Sequence, residues 1–292
     1  MLRLPDEAVV LERLITWAEA SDSIRALVLT SSRARADGSA DELSDYDVIV
    51  AVRNPMKMTR DDEWVSAYDQ PLARWGDQHE LYGRTTYFHG VVYPDGVKVD
   101  YTLWPAELLA QVSLESALPE DLDVGYRVLL DKDGATSSWP APLYRAHVPS
   151  RPSREEYDAL IDEFWWDTTY VAKSLWRGEV FFAKFMLDYD TKFVALRRFL
   201  EWRIEMDHDW SLRPGSHGRG LERLLPAELW SDLASTFVGT SIEENWEALL
   251  RTTALFRRVA IEVGDALGYP YPQDKDAAVS AHLHGVRALT SR

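Results

Sequence analysis

Hydrophobic positions in the first part of the chain follow two alternating patterns. Residues 7–20 repeat apolar side chains at the three- and four-residue spacing of an amphipathic helix. Residues 24–30 and 45–52 are instead short, continuous runs rich in valine, leucine and isoleucine. Runs of this length and composition, bounded by polar clusters, are typical of buried strands. The chain therefore begins as a helix followed by two strands.

The same alternation continues downstream. A helix is predicted over residues 58–75, and residues 126–130 are predicted as a short strand. Residues 85–93 and 97–103 are apolar runs joined by Pro94-Asp95-Gly96, a sequence typical of a hairpin turn. These signals together predict a mixed sheet flanked by helices.

The pattern changes after the proline-rich segment at residues 140–152. Strand signals fade, and Ser153 with Glu156 forms the sequence of a capping box before a long amphipathic segment. Ser241 with Glu244 repeats that sequence before another long helix. We therefore predict an α+β protein. Residues 1–145 should form the domain with the sheet, and residues 146–292 should form an α-helical bundle.

Composition narrows the functional classes. Apolar residues make up 46% of the 292, enough to bury two cores, and there is no cysteine for disulfides or thiolate metal sites. We find no signal peptide and no apolar run long enough to span a membrane, so we expect a cytoplasmic protein. The net charge of −16 disfavours nucleic acid and favours a cationic ligand, although acidity can also serve solubility alone.

Candidate chemistry collects at the ends of three predicted strands. Asp45 and Asp47 are two apart on one strand, so their side chains share a face, and Asp100 lies on a later strand. Such carboxylates repel each other unless a divalent cation such as Mg²⁺ neutralises them. An isolated Asp-x-Asp pair can also be a solvated strand edge. The preceding Ser31-Ser32-Arg33 favours the site, because small residues and an arginine suit a triphosphate.

The arrangement of a strand, a small-residue turn, an Asp-x-Asp strand and a later carboxylate strand resembles the nucleotidyltransferase superfamily. Residues 24–52 are similar to the aminoglycoside 6-adenylyltransferases, which have Gly-Ser-Arg-Ala followed by Ser-Asp-Tyr-Asp. In this sequence Ser31 replaces the usual glycine, so a turn that needs a positive φ would be strained here. Similar motifs continue in the second half, at residues 163–165, 170–173, 177–179, 200–203 and 215–220.

The resemblance implies that residues 1–145 are a nucleotidyltransferase catalytic domain that uses ATP. Asp45 and Asp47 would hold Mg²⁺, and Asp100 would be a third ligand or the general base that accepts the proton of the acceptor hydroxyl. Ser31, Ser32 and Arg33 would bind the triphosphate. Two lysines of the helical domain would reach the β- and γ-phosphates, namely Lys173 and Lys184.

The resemblance also implies an aminoglycoside acceptor, with streptomycin adenylylated at its 6-position, pyrophosphate released and antibiotic resistance as the consequence. Carboxylates and aromatic rings suit the guanidinium groups of streptomycin. The candidates in the helical domain are Glu163, Trp165, Asp167, Asp188 and Asp190.

Two alternatives to this function stay open. One is a related enzyme with another acceptor, such as a lincosamide, another metabolite or a protein hydroxyl. The other is a non-catalytic relative that binds a nucleotide or a drug. We expect the protein to bind no nucleic acid and no membrane, and a monomer is the default assembly.

Overall fold

The computed structural model describes residues 4–212 and 214–289 of the chain. Its internal contacts divide it into two compact units, with the boundary between Ala146 and His147. All strands of the described residues lie in the first unit, called here the sheet unit, and the second is the helical unit. The predicted α+β class, a mixed sheet with flanking helices followed by a helical region, is confirmed.

The sheet unit is built on a single six-stranded sheet. The strands are β1 (Ile24–Thr30), β2 (Tyr46–Val52), β3 (Ala73–Leu81), β4 (Arg84–Val92), β5 (Lys98–Pro105) and β6 (Tyr126–Asp131). They lie in the order β3-β4-β5-β2-β1-β6. The β2–β5 pair is parallel and the other four pairs are antiparallel, so the sheet is mixed.

Helices cover both faces of this sheet. They are α1 (Glu7–Ala20), α2 (Pro55–Arg60), α3 (Glu107–Val112) and α4 (Glu120–Asp123), with 3-10 turns at Ser31–Ala34 and Asp62–Ala67. The apolar side of α1 packs on one face, against side chains such as Leu27 and Val50. Helices α3 and α4 pack on the other face, against Val28 and Ile49. Alternate side chains of β1 and β2 thus enter different cores, which explains their continuous apolar runs.

One predicted element of this unit is wrong. The helix expected over residues 58–75 is only the short α2 and a 3-10 turn, and strand β3 begins at Ala73. Almost all of β3 is exposed, because it is an edge strand that pairs only with β4. An exposed edge strand needs no alternation of apolar residues, so the periodicity gives no sign of it. The predicted hairpin of β4 and β5 is confirmed.

The helical unit consists of long and short helices around two apolar clusters. The helices are α5 (Arg154–Arg177), α6 (Val180–Lys184), a π-helix (Phe185–Leu196), α7 (Arg197–Met206), α8 (Leu221–Leu224), α9 (Ala227–Ser235), α10 (Ile242–Leu267) and α11 (Gln273–Ala288), with a 3-10 turn at Ser216–Gly218. Along the part of the chain that the structure describes, no helix combines the length and apolar character needed to cross a membrane.

Local sequence explains where the two longest helices begin. The Ser153 hydroxyl accepts from the Glu156 backbone N–H while the Glu156 side chain accepts from the Ser153 N–H, as predicted. Ser241 caps α10 through the Glu244 backbone N–H. Between these helices, the rings of Phe164 and Phe256 stack with their centroids 3.5 Å apart. Burying each such ring contributes about 2–3 kcal/mol, so α5 and α10 hold the unit together.

Candidate active site on the sheet

A row of side chains crosses the sheet at the level of the predicted carboxylates. Thr30 of β1 pairs with Asp47 of β2, and Asp47 pairs with Asp100 of β5. Asp100 pairs in turn with Gly90 of β4, which pairs with Trp75 of β3. Residues that pair directly across strands point to the same face. The structure therefore brings Asp47 and Asp100, which are 53 positions apart in the sequence, side by side.

Asp45 joins this pair through a lysine that the sequence analysis did not single out. The Lys98 Nζ donates to Asp45 Oδ2 at 2.6 Å and to Asp100 Oδ2 at 3.0 Å. Asp45 lies just before β2, not within it as predicted. The signal for Lys98 was its position two residues before Asp100 on a strand, which places both side chains on one face. A single ammonium group thus lies beside three carboxylates and donates to two of them.

The cluster carries negative charge that the protein does not neutralise. Burial, followed by the charges of Asp100 and Asp45, raises the pKa of Asp47 to about 6, although Lys98 and a Ser31 hydrogen bond act in the opposite direction. Burial also raises the pKa of Asp100, against the effect of Lys98. The Oδ1 atom of Asp100 is buried and has no hydrogen-bond partner. An acceptor left in that state is costly, so the arrangement suits a ligand.

The three carboxylates fit the predicted Mg²⁺ in charge and in chemistry. Oxygen ligands from carboxylates are those that Mg²⁺ prefers, and the unpartnered Oδ1 of Asp100 is such an oxygen. Within the described residues, no group of three or more acidic or imidazole side chains already has the arrangement of a metal site. The Lys98 ammonium lies between Asp45 and Asp100 instead. Asp45 and Asp47 would hold the ion, with Asp100 as its third ligand or as the general base, if the Lys98 ammonium leaves its position between Asp45 and Asp100.

The predicted phosphate turn follows β1 directly. Ser31 and Ser32 begin the 3-10 turn, and Ser31 has a φ of 60°. That conformation costs a residue with a Cβ roughly 1 kcal/mol relative to glycine. Ser31 therefore adopts the positive φ that the glycine of related sequences would adopt without strain, and the turn is strained. The Ser31 backbone N–H donates to the Gly125 carbonyl, while Ser32 stays half-buried beside it.

Arg33 has a structural task in this conformation. Its Nε donates to the Ser44 carbonyl at 2.9 Å, and its guanidinium lies 4.1 Å from the centre of the Tyr46 ring. Its guanidinium also donates to the Asp41 and Glu42 carbonyls and forms an ion pair with Glu7. The guanidinium thus holds the loop that leads to Asp45. Its predicted phosphate contact stays a prediction, because these partners already occupy it.

The helical unit contains the other predicted residues, and two of them pair with each other. Lys184 forms an ion pair with Asp188 at 2.7 Å and donates to the Val238 carbonyl. Asp188 also pairs with the buried Lys192, which the sequence analysis missed. A phosphate contact by Lys184 and a guanidinium contact by Asp188 would each break these pairs. Lys173 is exposed, with its Nζ 4.2 Å from the centre of the Tyr170 ring, and its phosphate contact stays a prediction.

Three predicted acceptor residues lie close together. Burial, followed by the charges of Asp190 and Glu163, raises the pKa of Asp167 to about 6. Burial likewise raises the pKa of Asp190. None of the three forms an ion pair with a described residue. This set, called here the helical acid cluster, can accept a cation.

Trp165 does not join that cluster, and its predicted contact with the acceptor is corrected. Its side chain is only 1% exposed, and its indole N–H donates to the Tyr271 hydroxyl. The ring packs edge-on against Phe164 and Phe256 in the core. It lies on the apolar stripe of α5, whose burial outweighs any role at the surface. The next residue, Trp166, is the exposed one.

The comparison with known families is decisive at this point. A family model described as Streptomycin adenylyltransferase matches residues 4–286, which is nearly the whole chain. The chain belongs to the streptomycin adenylyltransferase family. The family that the sequence resemblance predicted is thus confirmed, and the carboxylate row with the small-residue turn before it stays its candidate active site.

Similar members of the streptomycin adenylyltransferase family cover both units of the chain. The aminoglycoside 6-adenylyltransferase of Campylobacter jejuni is 29% identical over 91% of this chain and 91% of its own. The enzyme of the same name from Bacillus subtilis strain 168 is 27% identical over 96% and 97%. A crystal structure of an aminoglycoside 6-adenyltransferase from Bacillus subtilis aligns over 98% of this chain and 100% of its own, at 25% identity and a TM-score of 0.48.

Proposed function

We propose that the protein transfers AMP from ATP to a hydroxyl of an aminoglycoside and releases pyrophosphate. The observation that carries this proposal is the pairing of Asp47 with Asp100 beside Asp45, in a chain that matches the adenylyltransferase family along nearly its whole length. Neither observation suffices alone. Paired carboxylates occur in many sites, and a family match does not show that the chemistry is intact.

The residues of the site suit the two bond changes of adenylyl transfer. The acceptor oxygen forms a bond to the α-phosphorus of ATP, and the bond from that phosphorus to the pyrophosphate oxygen breaks. The proton of the acceptor hydroxyl goes to Asp100 Oδ1, the oxygen that has no partner. Lys98 holds the other oxygen of Asp100 and so orients the carboxylate. Asp45 and Asp47 would hold Mg²⁺, which neutralises phosphate charge, and Asp100 acts as the general base.

We assign these steps to residues 1–145 and recognition of the acceptor's cationic groups to residues 146–292. The helical acid cluster supports the second assignment, because it holds three carboxylates without a cationic partner. Guanidinium groups pair with carboxylates in a planar, bidentate geometry that ammonium groups cannot reproduce. Streptomycin carries two guanidinium groups, whereas kanamycins carry amines. We therefore propose streptomycin as the acceptor, with modification at its 6-position and resistance as the consequence. ATP is a cytoplasmic compound, so we place the reaction there.

The experiment is a pyrophosphate-release assay with ATP, Mg²⁺ and a panel that includes streptomycin, kanamycin and a lincosamide. We expect release with streptomycin, a product heavier by one adenylyl group, and no release with kanamycin. Omitting Mg²⁺ should stop the reaction. Transfer to kanamycin without transfer to streptomycin would refute the proposed acceptor. If no compound of the panel is modified although ATP binds, the enzymatic proposal fails and the protein is a nucleotide-binding relative.

A further inference from the structure

The carboxylate row does not end at Asp100. It continues through Gly90 to Trp75 on the edge strand β3, and a cavity of about 390 Å³ lies over this part of the sheet. Trp75, Phe88 and Gly90 line the cavity together with Arg74, Lys98 and Asp100. Most of its lining surface is apolar, in contrast to the carboxylates at its end. The cavity lies wholly within the sheet unit.

Gly90 lets the side chains of Asp100 and Phe88 pack closely over its backbone. A Cβ atom at position 90 would lie 3.1 Å from Asp100 Oδ1 and 3.2 Å from the ring of Phe88. Any side chain would therefore crowd the space in front of that oxygen. Oδ1 is also the atom of Asp100 that has no hydrogen-bond partner. The Asp100 end of the cavity therefore holds a buried carboxylate oxygen that lacks a hydrogen-bond partner.

Trp75 forms the far wall of the cavity. Its side chain is 64% exposed, and its ring lies 5.6 Å from that of Phe88. It belongs to none of the apolar cores, so its indole is free to contact a ligand. Asp77 lies two residues further along β3, on the same face, and pairs with Phe88. Asp77 does not line the cavity, whereas Arg74 and Lys98 do, so the contact that the cavity offers an acceptor ring is the aromatic face of Trp75.

The serine turn and the cavity lie at opposite ends of the carboxylate row, so each end is available to a different substrate. Ser31 and Ser32 follow Thr30, on the β1 side of Asp47, whereas the cavity lies on the β4 side of Asp100. In phosphoryl-type transfer, the attacking and leaving oxygens lie roughly in line on opposite sides of the phosphorus. A triphosphate at the serine turn therefore leaves the Gly90 side for the attacking hydroxyl.

We infer that Trp75 and Phe88, with Gly90 between them and Asp100, form the subsite for the acceptor ring that carries the reacting hydroxyl. This inference rests on the proposed function and assigns one end of its site. The ring stacks on Trp75 with its hydroxyl at the Asp100 end of the cavity. There the hydroxyl oxygen bonds to phosphorus, its proton goes to Asp100, and the bond from phosphorus to pyrophosphate breaks. Trp75 and Gly90 are specificity-determining residues in this account.

The test compares Trp75→Ala, Trp75→Phe and Gly90→Ala with the wild-type protein. Leu114→Ala is the matched control, because Leu114 is a highly exposed apolar residue of the same unit that does not line the cavity. KM for streptomycin and for ATP is measured separately, and circular dichroism checks the fold. Trp75→Ala should raise the KM for streptomycin about tenfold and leave the KM for ATP within about twofold. Trp75→Phe should restore most of the binding, and Gly90→Ala should lower kcat/KM at least about tenfold.

Other outcomes overturn the inference. A rise in the KM for ATP alone would mean that the cavity binds the adenine base, and no change in either KM would mean that it binds neither substrate. Calorimetric titration of streptomycin in the presence of Mg²⁺ and a non-hydrolysable ATP analogue separates this inference from the proposed function. If streptomycin binding depends on Trp75 but no turnover occurs, the subsite is supported and the proposed enzymatic function is contradicted. If turnover occurs and does not depend on Trp75, the enzymatic function is supported and the subsite is contradicted. Absence of both binding and turnover rejects both.

Discussion

The two units each contain a group of three carboxylates, and the groups differ in how their charge is balanced. In the sheet unit, Lys98 binds Asp45 and Asp100, and strand pairing brings Asp47 beside them. In the helical acid cluster, no ion pair with a described residue compensates any of the three side chains. Each group nevertheless includes an aspartate whose pKa is raised to about 6. Both units therefore carry unsatisfied negative charge.

A fourth carboxylate of the helical unit has its charge compensated by lysines. Asp188 lies two residues before Asp190, but it pairs with both Lys184 and Lys192. Its neighbours hold it as part of the structure, whereas Asp190 has no such partner and its pKa is raised by burial. The comparison indicates that the balance of charge around a carboxylate distinguishes a ligand site from a structural ion pair better than its position in the sequence does.

The largest expected effect concerns the sheet carboxylates. Asp47→Asn should lower the rate of adenylyl transfer about a thousandfold or more. Mg²⁺ would lose one of its carboxylate ligands and with it the position from which it neutralises the phosphate charge. The same variant should unfold at a higher temperature without ligands, since the buried charge is removed. We expect a gain of about 1–3 kcal/mol at pH 7. Pyrophosphate release and thermal unfolding measure the two effects.

Asp45→Asn tests the same site from its more exposed side. It should also abolish transfer while the fold stays intact. Because Lys98 then loses one of its two carboxylates, the gain in stability seen with Asp47→Asn should be absent. Transfer near the wild-type rate in either variant would remove the carboxylate row from the mechanism.

Asp188→Asn should have the next largest effect, and on stability alone. The variant leaves the buried Lys192 ammonium without its anionic partner, while the Thr236 carbonyl remains as an acceptor. Removing one member of a buried pair is strongly destabilising, so we expect a loss of roughly 2–3 kcal/mol in the free energy of unfolding. Chemical denaturation measures it. The KM for streptomycin should stay unchanged, and a marked rise would restore Asp188 as an acceptor residue.

Asp167→Asn should give a smaller, pH-dependent effect. The folded-state pKa of about 6 lies above the ordinary value of 3.8, so wild-type protein is penalised above pH 6 and gains stability as the pH falls from 6 towards 4. The variant lacks that penalty. It should be more stable than wild type by about 1–2 kcal/mol at pH 7–8, and the difference should vanish near pH 4. Unfolding curves at several pH values check this.

The same substitution should weaken streptomycin binding at pH 7, because one carboxylate is lost from the helical acid cluster. Wild-type binding should itself weaken as the pH falls through 6, where Asp167 takes up a proton. Calorimetric titration at pH 5 and pH 7.5 gives the comparison. Equal affinity of wild type and variant at both pH values would exclude the cluster from acceptor binding.

Ser31→Gly should have the smallest effect. Glycine adopts the observed φ of 60° without strain, so stability should rise by about 0.5–1 kcal/mol. Ser31→Ala is the matched control, since it removes the hydroxyl but keeps the strained conformation, and it should bring no gain. Thermal unfolding of the three proteins decides between strain and the hydroxyl. A gain in the alanine variant would show that the hydroxyl, and not the backbone, is unfavourable.

The sequence by itself determined much of this protein. Local patterns were sufficient for the buried strands β1 and β2, the β4–β5 hairpin and the capped starts of α5 and α10, because these signals depend on neighbours within a few positions. The spacing of Asp45 and Asp47 and their resemblance to a known motif also pointed to the family that the comparison confirmed.

Only the tertiary structure decided the rest, because it depends on residues that are distant in the chain. The exposed strand β3 exists through its pairing with β4, and Trp165 lies in the core because of α10. Lys98 of β5 reaches Asp45 just before the neighbouring strand β2, and Gly90 faces Asp100 through the sheet register. The burial and the ion pairs of a residue depend on all of its spatial neighbours, and many of these are distant in sequence. A local sequence pattern therefore cannot predict them.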